Sequence, residues 1–501
     1  MEKATVYLIG AGPGNAGLIT VKGLELVKKA DVLVYDQLGT SAFLNEVPKQ
    51  CQMYDVGKSS GNHKLSQDGI NKLLAQKAKE FKTVVRLKGG DPYLFGRGGE
   101  EFLYLKEHGI NVEVVPGVTS AISAPCYAGI PITQRGYTSS LAIVTGHQAE
   151  KEISDVNWKA IAGIGTVVFL MSVKNIGQIC HNLMAEGKPA DTPVAMVRYG
   201  TLSKQKSYFG TLGTMEAIVE KEGIKPPCVT VVGKVVDLHE QLNWFEKLPL
   251  FGKKIIVTRS RTQAGSLLSE LQQWGAEAIE CPTIRITPNE DDSALNDFLN
   301  CHEKYSYAVF TSVNGVNTFI EKIMNSNKDL RILYGKKIVC IGPATAEAFK
   351  QKGIVADYVP DSYVAENLIK WFETQKPGKV AILRAEKARE ILPEALKKLG
   401  YNVNVISLYH TDFETNITPE LLEALENNQI DYVTFSSSST VEGFAKILEN
   451  TNIKPEQVPS AVIGPVTAET CKKFGFPIKV TAKEFTIPGL VKEILKANSK
   501  S

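Results

Sequence analysis

Residues 86–101 read Arg86-Leu87-Lys88-Gly89-Gly90-Asp91-Pro92-Tyr93-Leu94-Phe95-Gly96-Arg97-Gly98-Gly99-Glu100-Glu101. An apolar run leads into a Gly-Gly turn, an aspartate stands where a strand would end, and cations flank both sides. Glycines at a strand's carboxyl end let backbone approach a ligand, and open α/β sheets bind their ligands at that end. The same outline stands near the N-terminus. Val6–Ile9 is a short apolar run, Gly10–Gly17 a glycine turn, Val21, Leu24, Leu26 and Val27 one helical face, and Val32–Tyr35 a second apolar run. Strand, glycine turn, amphipathic helix and strand again is the alternation of α/β architecture, and it continues to about residue 240.

Two further loops fit that frame. In Gly10-Ala11-Gly12-Pro13-Gly14-Asn15-Ala16-Gly17, residues 12–17 satisfy GxGxxG, with Asp31 and Asp36 near the acidic position of a dinucleotide site. A tight turn needing positive φ explains the same glycines, and Pro13 lacks an N–H that a pyrophosphate would take. Pro116-Gly117-Val118-Thr119-Ser120 and Gly129-Ile130-Pro131-Ile132-Thr133-Gln134-Arg135 add small residues and one guanidinium.

The whole chain sets the bounds. Its 501 residues imply several domains or lobes rather than one, and 43% hydrophobic against 22% charged residues supplies a core for each. A formal charge of +3 with no basic tract argues against nucleic acid as partner. The eight cysteines never fall as CxxC and have no histidines at ligand spacing, so neither a metal site nor a disulfide scaffold is expected. MEKATVYLIG runs straight into a strand without the regions of a signal peptide, and no apolar run is long enough to span a membrane. A soluble, cytoplasmic protein without membrane partners is the expectation.

Past the segment QLNWFEKLPLFGK, where Trp244, Phe245, Leu248 and Phe251 predict a short and partly packed boundary, the sequence repeats itself at an offset of about 125 residues. Ile256-Val257-Thr258-Arg259 aligns with Ala381-Ile382-Leu383-Arg384, Phe310-Thr311-Ser312 with Phe435-Ser436-Ser437, and Ile341-Gly342-Pro343-Ala344-Thr345-Ala346 with Ile463-Gly464-Pro465-Val466-Thr467-Ala468. A duplicated α/β unit with matching hydroxyl loops places a ligand between its lobes. Hydroxyls and N–H groups at helix starts, with Arg259, Arg261 and Arg384 at strand ends, suit carboxylates; the same serines and threonines also serve as plain helix caps.

With Tyr35-Asp36, Val56-Gly57-Lys58, Thr145-Gly146-His147 and Phe169-Leu170-Met171, the first-half segments closely resemble the tetrapyrrole methylase family, and within it uroporphyrinogen-III C-methyltransferases, over about residues 3–240. That resemblance implies two α/β lobes with S-adenosyl-L-methionine in the cleft between them. It implies transfer of two methyl groups to carbons 2 and 7 of uroporphyrinogen III, giving precorrin-2. Family cofactor contacts fall on Pro13, Gly89, Gly90, Asp91, Leu94, Thr119, Ser120, Met171 and Gly200. Asp36 and Lys58 match a proton acceptor and donor, and Arg135 is a candidate substrate contact. Ser120 stands where the family often has alanine, and Gln134 where histidine commonly precedes the arginine, so no histidine acts there.

Residues 253–498 resemble uroporphyrinogen-III synthases through Phe310-Thr311-Ser312-Val313-Asn314-Gly315-Val316, Leu408-Tyr409-His410-Thr411, Phe435-Ser436-Ser437 and Ile463-Gly464-Pro465-Val466-Thr467-Ala468. This implies one lobe from 253–285 plus 412–498 and another from 290–408, joined by two crossing strands. Tyr409 matches a tyrosine that assists departure of hydroxide from hydroxymethylbilane. Arg259, Ser312, Thr345, Arg384, Ser436, Ser437 and Thr467 are candidate substrate contacts. The expected chain is therefore a methyltransferase at residues 1–245 followed by a synthase at 250–501, cyclising hydroxymethylbilane and then methylating the product. A homodimer through the first half is the one self-association this reading admits. The alternative is a methylase of another corrin or non-tetrapyrrole substrate, with the second half a ligand-binding module. Whether the products serve sirohaem or cobalamin is open.

Overall fold

The computed structural model describes residues 4–36, 39–44, 46–57, 65–146, 156–259, 261–360 and 365–499. The chain divides into two compact units, Met1–Lys253 with Gln273–Glu277, and Lys254–Gln272 with Ala278–Ser501. Among the described residues no helix is long and apolar enough to cross a membrane.

The first unit opens with strands β1 (Thr5–Gly10), β2 (Val32–Tyr35), β3 (Gln52–Asp55), β4 (Thr83–Lys88) and β5 (Asn111–Val115), arranged β3-β2-β4-β1-β5 with every pair parallel. One face carries Val6, Leu8, Val32, Val34 and Val84 into a core with Leu74 and Leu105, from helices Gln67–Glu80 and Gly98–Glu107. The other carries Ile9, Leu33, Val85 and Leu87 into a core with Val27 of helix Val21–Val27. Right-handed crossovers explain this division: the chain moves one way along the sheet from β1 to β3 and the other way from β3 to β5, so its helices land on opposite faces. Neighbours β1 and β4 thus send their chains apart, and a crevice opens at their carboxyl ends.

Strands β6 (Leu141–Thr145), β7 (Thr166–Leu170), β8 (Pro193–Arg198), β9 (Lys206–Thr211) and β10 (Cys228–Val232) form a second sheet, ordered β6-β7-β10-β8-β9. Helices still separate β6 from β7, β7 from β8 and β9 from β10, and only β8 runs directly into β9. Only β6 and β7 pair in parallel; β7–β10, β10–β8 and β8–β9 are antiparallel. The boundary segment packs on this unit. Phe245 and Leu250 are buried, Phe245 meets Tyr127 at 4.7 Å between ring centres, and Glu246 accepts hydrogen bonds from Gln205 (2.8 Å) and Ser207 (2.7 Å).

The second unit builds two sheets from β11 (Lys254–Val257), β12 (Glu277–Glu280), β13 (Ile284–Pro288), β14 (Tyr307–Phe310), β15 (Lys337–Cys340), β16 (Lys379–Ala385), β17 (Asn402–Phe413), β18 (Tyr432–Phe435), β19 (Ser460–Val462) and β20 (Ile478–Thr481). Their orders are β12-β11-β18-β19-β20 and β13-β17-β16-β14-β15. The repeat at once explains the likeness: β12-β11-β18-β19 answers β17-β16-β14-β15 strand for strand. Each sequence repeat, however, gives two of its four matched strands to each sheet. Matching aromatic cores follow, with Phe310 against Phe319 and Phe349, and Phe435 against Phe444 and Phe476. The chain passes between sheets at β12–β13 and β17–β18, where Ile284–Pro288 pairs antiparallel with Tyr409–Phe413.

Candidate active sites

At the crevice of the first sheet three loops meet through bare backbone. Gly12 and Gly90 bridge each other, N–H to O, at 3.2 and 2.8 Å. A Cβ on Gly10 would stand 2.5 Å from both Gly117 Cα and Gly90 O, which closes that position to other residues. Gly90 differs: at φ 69° a Cβ there would meet only Thr119 Cα, at 4.0 Å. The Asp91 carboxylate braces the loops, its Oδ1 accepting the N–H of Tyr93 (2.8 Å) and Leu94 (3.1 Å) and its Oδ2 that of Gly117 (3.0 Å).

Opposite stand loops of the second sheet. Met171 and Tyr199 adopt φ 57° and 50°, as Phe95 does at 52° on the facing loop. Non-glycine residues held in this left-handed region cost about 1–2 kcal/mol each, and such strain gathers at ligand clamps. All three line the same cavity of about 530 Å³. The cavity is also lined by every expected cofactor contact: Pro13, Gly89, Gly90, Asp91, Leu94, Thr119, Ser120, Met171 and Gly200. Apolar Val197 and Val229 complete a wall that suits a ligand with both a flat apolar part and polar ends.

Asp36 directly follows β2, one-third exposed, and its Oδ1 accepts from Arg86 Nη2 at 2.7 Å. Lys58 and His147 lie outside the described residues. Arg135 is exposed on the turn closed by Gln134 and Thr138 and does not line the cavity. Sequence reasoning overlooked the charges behind Asp36. Arg86 and Lys88 are two apart in β4, on the face of Val84, which is covered by the helix bearing Glu101; that spacing was the available signal.

In the second unit a cavity of about 260 Å³ is lined by Arg259, Ser312, Tyr409, Ser436 and Ser437, among others. Two helices begin on it. Ser312 caps Val313–Asn325, its Oγ accepting the Gly315 N–H at 2.9 Å, and Ser437 caps Ser438–Glu449 in a reciprocal box with Thr440. The partial positive charge of a helix start favours anions. Burial pulls the Arg259 guanidinium below its ordinary pKa. Tyr409, buried, shares a 2.9 Å hydrogen bond with Ser312 Oγ; burial raises its pKa, and the Ser312 bond opposes that rise.

Three expected contacts lie elsewhere. Thr345 and Thr467 are buried in the first turns of helices Pro343–Lys350 and Pro465–Phe474. Arg384 ion-pairs with Glu390 and donates to Arg389 O at 3.0 Å, so its guanidinium serves its own loop. None of the three lines the cavity.

A family model described as Tetrapyrrole (Corrin/Porphyrin) Methylases matches residues 5–216, and one described as Uroporphyrinogen-III synthase HemD matches residues 266–492. The chain is 37% identical over 499 residues to the porphyrin biosynthesis protein HemD of Ruminiclostridium josui, covering 99% of this chain and 98% of that one. Over 239 residues it is 49% identical to the S-adenosyl-L-methionine-dependent uroporphyrinogen III methyltransferase of Methanosarcina barkeri, covering 47% of this chain and 94% of the relative. Among solved structures, uroporphyrin-III C-methyl transferase from Thermus thermophilus, complexed with S-adenyl homocysteine, aligns at 36% identity and TM-score 0.41, covering 47% of this chain and 99% of that one.

Proposed function

The chain belongs to the tetrapyrrole methylases through its first half and to the uroporphyrinogen-III synthases through its second, and from that premise we propose that one polypeptide cyclises hydroxymethylbilane to uroporphyrinogen III and then methylates it twice, at carbons 2 and 7, to precorrin-2. The observation that carries this reading is the convergence of nine motif residues from both lobes on one cavity.

The residues of that cavity fit S-adenosyl-L-methionine. Gly90 keeps the cavity wall bare, so backbone groups of Gly89 and Asp91 beside it can meet the polar ends of the cofactor, while Leu94, Val197 and Val229 cover its apolar part. When bound, the cofactor supplies an electrophilic methyl on a sulfonium. The protein's part is to orient the ring carbon toward it and to take the proton the methylated ring must shed, a task for Asp36, with Lys58 as donor.

In the second half the serine-capped helix starts and Arg259 would hold substrate carboxylates. Tyr409, kept protonated by its buried setting, would donate to the departing hydroxide. Loss of water leaves a cation whose ring closure must be steered to the substituted carbon of ring D, so positioning supplies most of the catalysis.

Full-length protein given hydroxymethylbilane alone should release the type III isomer, and with S-adenosyl-L-methionine a product bearing two added methyl groups. Release of only the spontaneous type I isomer would make the second half a binding module.

A further inference from the structure

Behind Asp36 lies a buried set of charges with no part in the scheme above. Glu101 is wholly buried, and its Oε1 receives Lys88 Nζ at 2.8 Å, Gln67 Nε2 at 3.1 Å and Arg86 Nε at 3.3 Å. Its Oε2 has no hydrogen-bond partner among the described residues. Arg86, only 2% exposed, is held on three sides: Nε on Glu101, Nη1 on Leu87 O at 3.2 Å, and Nη2 on Asp36 Oδ1 at 2.7 Å. Burial pulls Lys88 below its ordinary pKa, repulsion from Arg86 adds to that, and Glu101 opposes it. Of the four charged groups, Asp36 alone reaches solvent appreciably, at 31% against 4% or less.

Buried ion clusters are often no better for stability than apolar side chains of the same volume, whereas deleting one partner is strongly destabilising. What such a cluster does supply is geometry: a planar fork pinned at two edges points its third in one direction. We propose that Arg86 is a positioning residue for Asp36. Glu101 and the Leu87 carbonyl lock the guanidinium plane, and Nη2 fixes Asp36 by Oδ1, leaving Oδ2 as the oxygen able to take a proton. This inference rests on the reading of Asp36 as proton acceptor.

A double-mutant cycle on the full-length protein tests it, with methylation of uroporphyrinogen III and S-adenosyl-L-methionine affinity both measured. Arg86→Gln should lower kcat by about tenfold or more while cofactor Kd stays within about twofold, and Arg86→Lys should fall between it and wild type. In an Asp36→Asn background the same change should cost less than about twofold further, because there is no carboxylate left to orient. Should the Gln variant fail to fold, Arg86→Lys and Glu101→Gln carry the same comparison. Losses that multiply in the Asp36→Asn background would overturn the positioning role and leave Asp36 as acceptor intact. An unchanged kcat in Asp36→Asn alone would overturn the acceptor reading, and the positioning role with it.

Discussion

At Gly90 a side chain would find space but not an easy backbone, since φ is 69° and the nearest atom to a Cβ lies 4.0 Å away. Gly90→Leu should therefore fold with a penalty of about 1–2 kcal/mol. Its bulk would sit in the cavity, and titration calorimetry should find S-adenosyl-L-methionine affinity reduced by at least about tenfold; unchanged affinity in a folded variant would move the cofactor elsewhere. Tyr409 sets a different expectation. Burial raises its pKa, so the hydroxyl stays protonated through and beyond the ordinary tyrosine value near 10. Cyclisation should thus show no alkaline loss from this residue below about pH 10, and Tyr409→Phe should slow type III formation across the whole range. The glycine and hydroxyl positions of the first cavity were legible in the sequence because their chemistry is local, each loop carrying its own turn requirement. The Asp36–Arg86–Glu101 contacts were not, since they join a strand end, a second strand and a helix whose juxtaposition only the fold creates. Arg384 misled for the opposite reason: its partner Glu390 is six positions on, at the start of a helix that returns beneath the strand end.

Among the elements, the paired helix starts at Ser312 and Ser437 have both a structural and a functional share. Each caps a helix of 12 or 13 residues. Replacing either serine by alanine should cost about 1 kcal/mol of stability through the lost cap, measurable by denaturant titration. Ser312→Ala should in addition lower kcat for cyclisation, because it removes one of the Tyr409 hydroxyl's partners, the other being Asn314, whereas Ser437→Ala should act mainly on KM. Equal effects of the two on kcat would leave Tyr409 without a special role. Strand direction was the least legible property here. The strands at 166–170, 193–198 and 228–232 are buried almost throughout, and a fully buried strand reads as an apolar run whether its neighbours are parallel or antiparallel. The repeat, by contrast, showed plainly, because it fixes residue types at an offset and needs no strand direction to be seen.

For the molecule as a whole, the proposed reaction order has a kinetic consequence: two consecutive activities on one chain would raise the effective concentration of their shared intermediate to about the millimolar range where geometry permits. Hydroxymethylbilane supplied together with isotopically labelled uroporphyrinogen III should then give methylated product less diluted by label than the bulk pool; equal dilution would mean that fusion brings no kinetic benefit. The interleaving of the two repeats bears on how the second unit is made. Synthesis releases β11 and β12 early, yet β18, which pairs with β11, starts only at Tyr432, while β13 to β17 leave the ribosome in succession. A nascent chain ending at Phe413 holds one complete sheet and only two of the five strands of the other. Those two carry an open edge until the last ninety or so residues arrive, the kind of edge that recruits other chains. Pulse-labelled amide exchange on a chain stopped there should find β14–β17 protected and β11 open. A premature stop would accordingly release an aggregation-prone fragment, and the translation rate through the final segment sets how long that hazard lasts.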